Sequence, residues 1–323
     1  MRAILFRISI VLAALALAPA GPSGGALNAG ADAAKKPGGA LNAGADVAKK
    51  PGGARMWPVD IPVHLSSSFG EYRDGHLHAG VDIRCFGREG VPCRAVEAGY
   101  VSRLRASPFG YGKAVYIAFD TGETGVYAHL SEFSSAIDSV VRRAQDEKGA
   151  YTVDLHLGRG EIRLARGDVV GYTGRTGTAS PHLHWEIRDS GENPVNPLDI
   201  GWEIGDAVPP AIRRVMWLPL TAGSRVGGSC APALVELVET GANAYAARDT
   251  LAVEGRLGVA AQIQDRLDDN SGELAPYRVE LEPCVEPSRI GRLARPTTWD
   301  LSADLTVGGG NALGVVGLFT RLF

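Results

Sequence analysis

Between Trp57 and Leu198 the chain reads as short apolar stretches separated by glycine-rich turns. Residues 99–104, 114–119 and 124–130 have the composition and alternation of β-strands. Residues 168–172 form another short apolar run, with Gly167 before it and Gly171 within it. One helix is predicted among these strands. Ser131-Glu132 supplies a start, and Phe133, Ile137, Val140, Val141 and Ala144 recur on one face until Gly149. Two strand-like runs, 151–157 and 161–165, follow, so residues 131–166 read as an insertion between strands. Beyond Pro209-Pro210 the character changes, and residues 250–264 and 277–285 alternate like the strands of a β-sandwich. The expected fold is mainly β: a small antiparallel β-domain at 57–207 with a helical and strand insertion, then a β-sandwich accessory domain at 208–323.

The first residues follow a different pattern. Arg2 and Arg7 precede an apolar run at 8–17 that is too short to span a bilayer. Ala18-Pro-Ala20 offers small residues for cleavage, so residues 1–20 read as an export signal, with an uncleaved anchor as the alternative. Residues 24–37 recur almost unchanged as 38–51, with Val47 in place of an alanine. Such Gly/Ala/Lys/Pro sequence cannot bury enough apolar surface to offset its ordering entropy, which makes 21–56 a linker. The expected location is the periplasm or the cell exterior, at the envelope, with no transmembrane segment once the signal is removed.

Composition narrows the choice further. A chain of 323 residues has room for about two domains. A net charge of −3, without an aromatic-interleaved basic run, gives no nucleic-acid footprint. Four cysteines in an exported chain are most simply two disulfides, and short spacing favours Cys85 with Cys93, leaving Cys230 with Cys284. No two stand at Cys-x-x-Cys spacing, which argues against a four-cysteine metal cluster.

The chemistry centres on His182-Leu-His184. On a strand, residues two apart face the same side, so both imidazoles lean into one site. Upstream, His78 and Asp82 stand four apart after a glycine-containing turn. A catalytic zinc needs about three protein ligands and an open position. His78, Asp82 and one histidine of the pair would make that set, and spacing alone does not say which one. His129, near the end of an apolar strand, could orient or deprotonate a water or stabilise an oxyanion. His64, His76 and His156 read as surface residues.

Three stretches carry a more specific signal. Ser68-Phe-Gly-Glu-Tyr-Arg-Asp-Gly-His-Leu-His-Ala-Gly-Val-Asp-Ile83, Tyr127-Ala-His-Leu130 and Thr176-Gly-Thr-Ala-Ser-Pro-His-Leu-His-Trp-Glu-Ile187 resemble, in order, the lysostaphin/LytM-like zinc metalloendopeptidases. Asn193-Pro-Val-Asn-Pro197 is similar as well, and the resemblance covers roughly residues 57–200. It implies a small, mostly antiparallel β-domain with a narrow groove and one Zn2+ per chain. His78, Asp82 and His184 match the metal ligands, whereas His129 and His182 match the catalytic histidines. The implied activity is endopeptidase cleavage of peptidoglycan stem or cross-bridge peptides, which would be the chain's partners. The alternative on the same fold is a non-catalytic wall-binding or amidase-activating protein, whose kind typically lacks some ligands. Two departures stand out: the 131–166 insertion is longer than the family's usual turn, and Cys85 and Cys93 flank the segment after Asp82.

Overall fold

The computed structural model describes residues 55–73, 76–241, 244–249, 251–276 and 278–281, with the strand segments Ile10–Val11, Ala14–Ala16 and Thr297–Asp300. The export signal and repeat linker therefore lie almost entirely outside the described residues. The protein is mainly β and antiparallel, as the sequence pattern predicts.

One sheet organises the first part of the chain. Its path uses β1 (Leu65–Ser67), β2 (Val81–Arg84), β3 (Gly99–Ala106), β4 (Ala114–Phe119), β5 (Thr124–Ala128), β6 (Val153–His156) and β7 (His182–Arg188). Their spatial order is β6-β3-β4-β5-β7-β2-β1, every neighbour antiparallel. Period-two alternation divides the sheet into two faces. Val81, Ile83, Val115, Ile117, Tyr127, Leu183, Trp185 and Ile187 point into the main core. There Trp185 meets Trp57 and Trp202, with ring centroids 5.6 and 5.0 Å apart. Full burial of each such side chain contributes about 1.5–3 kcal/mol. The intervening residues, among them Asp82, Tyr116, His184 and Glu186, are left to the other face, which carries the candidate site.

The insertion extends this sheet. β6 pairs with β3 from Val153↔Ala106 to His156↔Arg103, and becomes its edge strand. The helix α1 runs over Ser135–Lys148, three residues later than Ser131-Glu132 predicts. Glu132–Phe133 instead forms a short strand against Tyr172 and Gly171, since Phe133 gains burial by pairing there. Ile137 and Val141 are the buried helix positions, and Gly149 caps the C-terminus at a φ of 64°.

After residue 207 the long strand β8 (Val208–Pro219) pairs with β9 (Leu257–Arg266) and with Ala233–Val235 in a three-stranded sheet. Ile212, Val215 and Val235 form its own small core. The run read as one strand at 250–264 is two, Leu251–Glu254 and β9, broken at Gly255. Of the run expected at 277–285, Arg278–Leu281 is described and pairs with Thr297–Asp300.

The cysteine expectation needs correction. Cys85 and Cys93 are fully buried free thiols, and Cys230 is an exposed one; Cys284 lies outside the described residues. Cys85 follows β2 in the main sheet, whereas Cys93 sits on Pro92–Arg94 in a separate sheet. Each thiol donates towards the carbonyl two residues before it, Ile83 or Val91. Cys85 is near enough to act electrostatically on Cys93, yet no disulfide joins them. Burial pushes both thiols above their ordinary pKa, which leaves them unreactive.

Candidate metal centre

Strand register assembles the centre. In the β2/β7 pairing His184 stands directly opposite Asp82, and on its other side β5 offers the small Ala128. His78 arrives from the turn before β2. That turn requires Gly80, because a Cβ there would lie 2.3 Å from the Trp185 carbonyl oxygen. His78, Asp82 and His184 are all buried, and one ligand atom from each lies within 4.8 Å of the others.

Around this cluster the hydrogen bonds decide which atoms are free. His78 donates its Nδ1–H to the Ser68 carbonyl at 2.7 Å, so Nε2 keeps its lone pair. His184 donates Nε2–H to Glu186 Oε1 at 2.8 Å, which leaves Nδ1 as its lone-pair atom. Asp82 accepts from Arg73 through Oδ2 at 3.1 Å and turns Oδ1 inward. The three inward atoms are 2.9 Å (His78 Nε2 to His184 Nδ1), 3.1 Å (His78 Nε2 to Asp82 Oδ1) and 2.9 Å (His184 Nδ1 to Asp82 Oδ1) apart. Bonds of 2.0–2.1 Å to a tetrahedral zinc imply ligand separations of about 3.3 Å. Three acceptors converging on one point require a positive charge between them. Two imidazole nitrogens and a carboxylate oxygen are a donor set zinc accepts, so the residues fit that ion.

The electrostatics carry the same demand. Burial alone would raise the Asp82 pKa, yet hydrogen bonds from His184 and His78 hold it far below the usual carboxylate range. Burial would lower His184, but the Asp82 and Glu186 carboxylates outweigh it and push the imidazole up to about 9. Whatever would fill the centre, proton or metal, the carboxylates favour a cation there.

The remaining two histidines lie beside it. His129 leaves β5 with a φ of 61°, a left-handed conformation uncommon for a residue with a side chain. Strain of this kind clusters at functional sites. Its Nδ1–H donates to the Thr176 carbonyl at 2.9 Å, so Nε2 is open, and its ring centroid is 4.7 Å from that of His182. Burial lowers its pKa to about 4, so the imidazole is neutral at neutral pH. His182 donates Nδ1–H to the Ser180 carbonyl at 2.9 Å, and its Nε2 stands 3.6 Å from Asp82 Oδ1. All five residues expected at the site are thus gathered at one end of the sheet. The other three histidines are elsewhere. His156 is exposed on the edge strand, His64 pairs with Asp268, and His76 is exposed on the short strand before His78.

Several further residues support the centre. Glu186 is fully buried, and besides His184 it binds the Tyr111 hydroxyl and Arg188. Burial would raise its pKa, but His184 and Arg188 hold it down at about 2. Its signal was available, since it lies two residues beyond His184 and therefore on the same strand face. Tyr111, whose ring centroid is 5.2 Å from that of His184, gave none. Thr176, which fixes His129 through its carbonyl, binds the Leu130 carbonyl through its own hydroxyl at 2.8 Å.

The fold and the site define a small antiparallel β-domain built round a histidine–aspartate–histidine centre. No family model matches the chain. The DD-carboxypeptidase/endopeptidase Mpg of Neisseria meningitidis serogroup B is 34% identical over 143 residues, 42% of this chain and 26% of that protein. The Mpg protein of Neisseria gonorrhoeae matches equally. The chain thus spans about a quarter of the length of these curated relatives. Among solved structures, the catalytic domain of the prophage-encoded M23 protein EnpA from Enterococcus faecalis is 24% identical. It covers 45% of this chain and 96% of that one, with a TM-score of 0.32. The catalytic domain of lysostaphin from Staphylococcus simulans is 20% identical over 42% of this chain and 90% of its own, with a TM-score of 0.31. Over this domain the chain is similar in sequence to these peptidases.

Proposed function

We propose that the chain is an exported, zinc-dependent endopeptidase that hydrolyses peptide cross-links of bacterial peptidoglycan. The observation that carries the proposal is the convergence of three lone-pair atoms, on His78, Asp82 and His184, with the unprotonated Nε2 side of His129 nearby. The curated relatives' name, DD-carboxypeptidase/endopeptidase, supports peptidase chemistry. The leader and linker of the sequence support export to the envelope.

In this reading zinc, held by His78, Asp82 and His184, supplies Lewis acidity towards a peptide carbonyl and lowers the pKa of a water towards about 7. The chain's own side chains do the rest. The Ser68 carbonyl and Glu186 keep both ligand imidazoles in the tautomer that faces inward. His129, neutral above a pKa of about 4, accepts a proton at Nε2 from the attacking water. His182, held through Nδ1, turns Nε2 towards the centre, beside the place where the oxyanion would develop.

The test uses full-length protein, zinc analysis and defined muropeptides. Near-stoichiometric zinc, lost in His184→Ala, together with cleavage that falls about 10²–10⁴-fold in His129→Ala, is the expected result. A His129→Ala variant with undiminished cleavage would defeat the assignment of its role. A non-catalytic wall-binding protein would hold the metal and leave every muropeptide intact.

A further inference from the structure

We infer that the turn at residues 268–275, contributed by the C-terminal part of the chain, is a positioning element of the metal centre. It acts through the segment that fixes the tautomer of His78. The inference rests on the reading of His78 as a metal ligand.

The turn is braced by its own hydrogen bonds. Asp268 Oδ1 accepts the Asn270 and Ser271 N–H groups at 2.8 and 2.7 Å, and the Ser271 hydroxyl accepts the Leu267 N–H at 3.0 Å. Leu267 just before it and Leu274 within it are buried in the same core as Leu65 and Phe69. It is therefore packed into the first domain's interior as well as laid on its surface. The fit is close: the Gly272 N–H donates to the Leu65 carbonyl at 2.7 Å, and a Cβ at Gly272 would lie 2.6 Å from the Ser66 carbonyl oxygen. His64 Nδ1 meets Asp268 Oδ2 at 2.8 Å, and Arg84 binds the Asn270 carbonyl.

From there the path to the metal centre is short. The Ala275 N–H lies 3.2 Å from Ser68 Oγ and 3.3 Å from Glu71 Oε1 and is shared between them. Glu71 also accepts the Ser68 N–H at 2.8 Å and the Ser67 hydroxyl at 2.7 Å, closing a ring over residues 67–71. Within that ring the Ser68 carbonyl receives His78 Nδ1–H, and the Glu71 carbonyl receives the His78 backbone N–H at 2.7 Å. The Ala275 N–H is thus an outside anchor for the carbonyl that orients a metal ligand. Groups that orient ligands from behind typically control metal affinity by about 10–100-fold.

The experiment measures zinc dissociation constants, and the visible spectrum of the cobalt-substituted protein, on the full chain. Ala275→Pro deletes one N–H. The residue already precedes Pro276, which biases it to the extended backbone that proline accepts. Zinc affinity should fall about tenfold or more with an altered cobalt spectrum, while Ala275→Ser, which keeps the N–H, should match the wild type. A second variant, His64→Ala, removes the hydrogen bond to Asp268 and the ring contact to Phe86, and should weaken zinc about threefold. Unchanged zinc affinity in both Ala275→Pro and His64→Ala overturns the inference and leaves the metal centre standing. A wild-type chain that binds no zinc overturns both.

Discussion

At the scale of single residues, the centre depends on what stands behind its ligands. His184 can offer Nδ1 only because Glu186 holds Nε2–H, and Glu186 stays ionised because His184 and Arg188 hold its pKa at about 2 against burial. Glu186→Gln keeps the shape and removes the charge. Zinc affinity in a competition titration is expected to fall about tenfold, with the fold intact. An unchanged affinity would mean that the backbone alone orients His184. The five site residues were legible in the sequence because they sit in motifs, but the division of labour between His182 and His184 came from resemblance. In the structure the two histidines differ locally: His184 stands opposite Asp82, whereas His182 ties its Nδ1 to Ser180. Tyr111 was not legible, since a tyrosine in a glycine-rich loop has no period that would aim it anywhere.

At the scale of elements, the insertion serves as scaffold. Its strand β6 lies at the far edge of the sheet from β2, with β3, β4, β5 and β7 between them. Ile137 and Val141 of α1 join the main core. Ile137→Ala should cost about 2–5 kcal/mol in a denaturant titration, by lost burial and a residual cavity, while zinc affinity stays at the wild-type value. A loss of zinc binding well below the melting temperature would tie the insertion to the site instead. Strands β3, β4 and β5 could be read from the chain because their core-facing residues alternate over five residues or more. The helix start could not, because Phe133 satisfies a strand as well as a helical face. The cysteine pairing read from spacing is not formed either: Cys85 and Cys93 are free thiols.

At the scale of the whole molecule, the accessory segment is tied to the first domain by more than the linking strand. Leu267 and Leu274 close the main core beside Leu65 and Phe69. That closure rests on contacts between distant residues such as Ser68 and Ala275, which no local pattern announces. Near this joint Asp265 is half-buried, and burial, with the Asp206 charge beside it, raises its pKa from 3.8 to about 6. A folded-state pKa above the unfolded value means that the folded chain binds the extra proton. Stability from this group is therefore complete below about pH 4 and is lost as pH rises towards 6. Asp265→Asn should raise the melting temperature at pH 7 and leave it unchanged at pH 4. The gain is on the order of 1 kcal/mol once solvent screening is allowed for. A gain of equal size at both pH values would assign the effect to packing.

The central claim, that five residues at one end of the sheet form a working zinc peptidase site, meets its most direct test in one digest. Full-length zinc-loaded protein is incubated with defined cross-linked muropeptides and the products are weighed by mass spectrometry. The account predicts cleavage at a peptide cross-link, abolished by a chelator and restored by zinc. Stoichiometric zinc with every cross-link intact would contradict it.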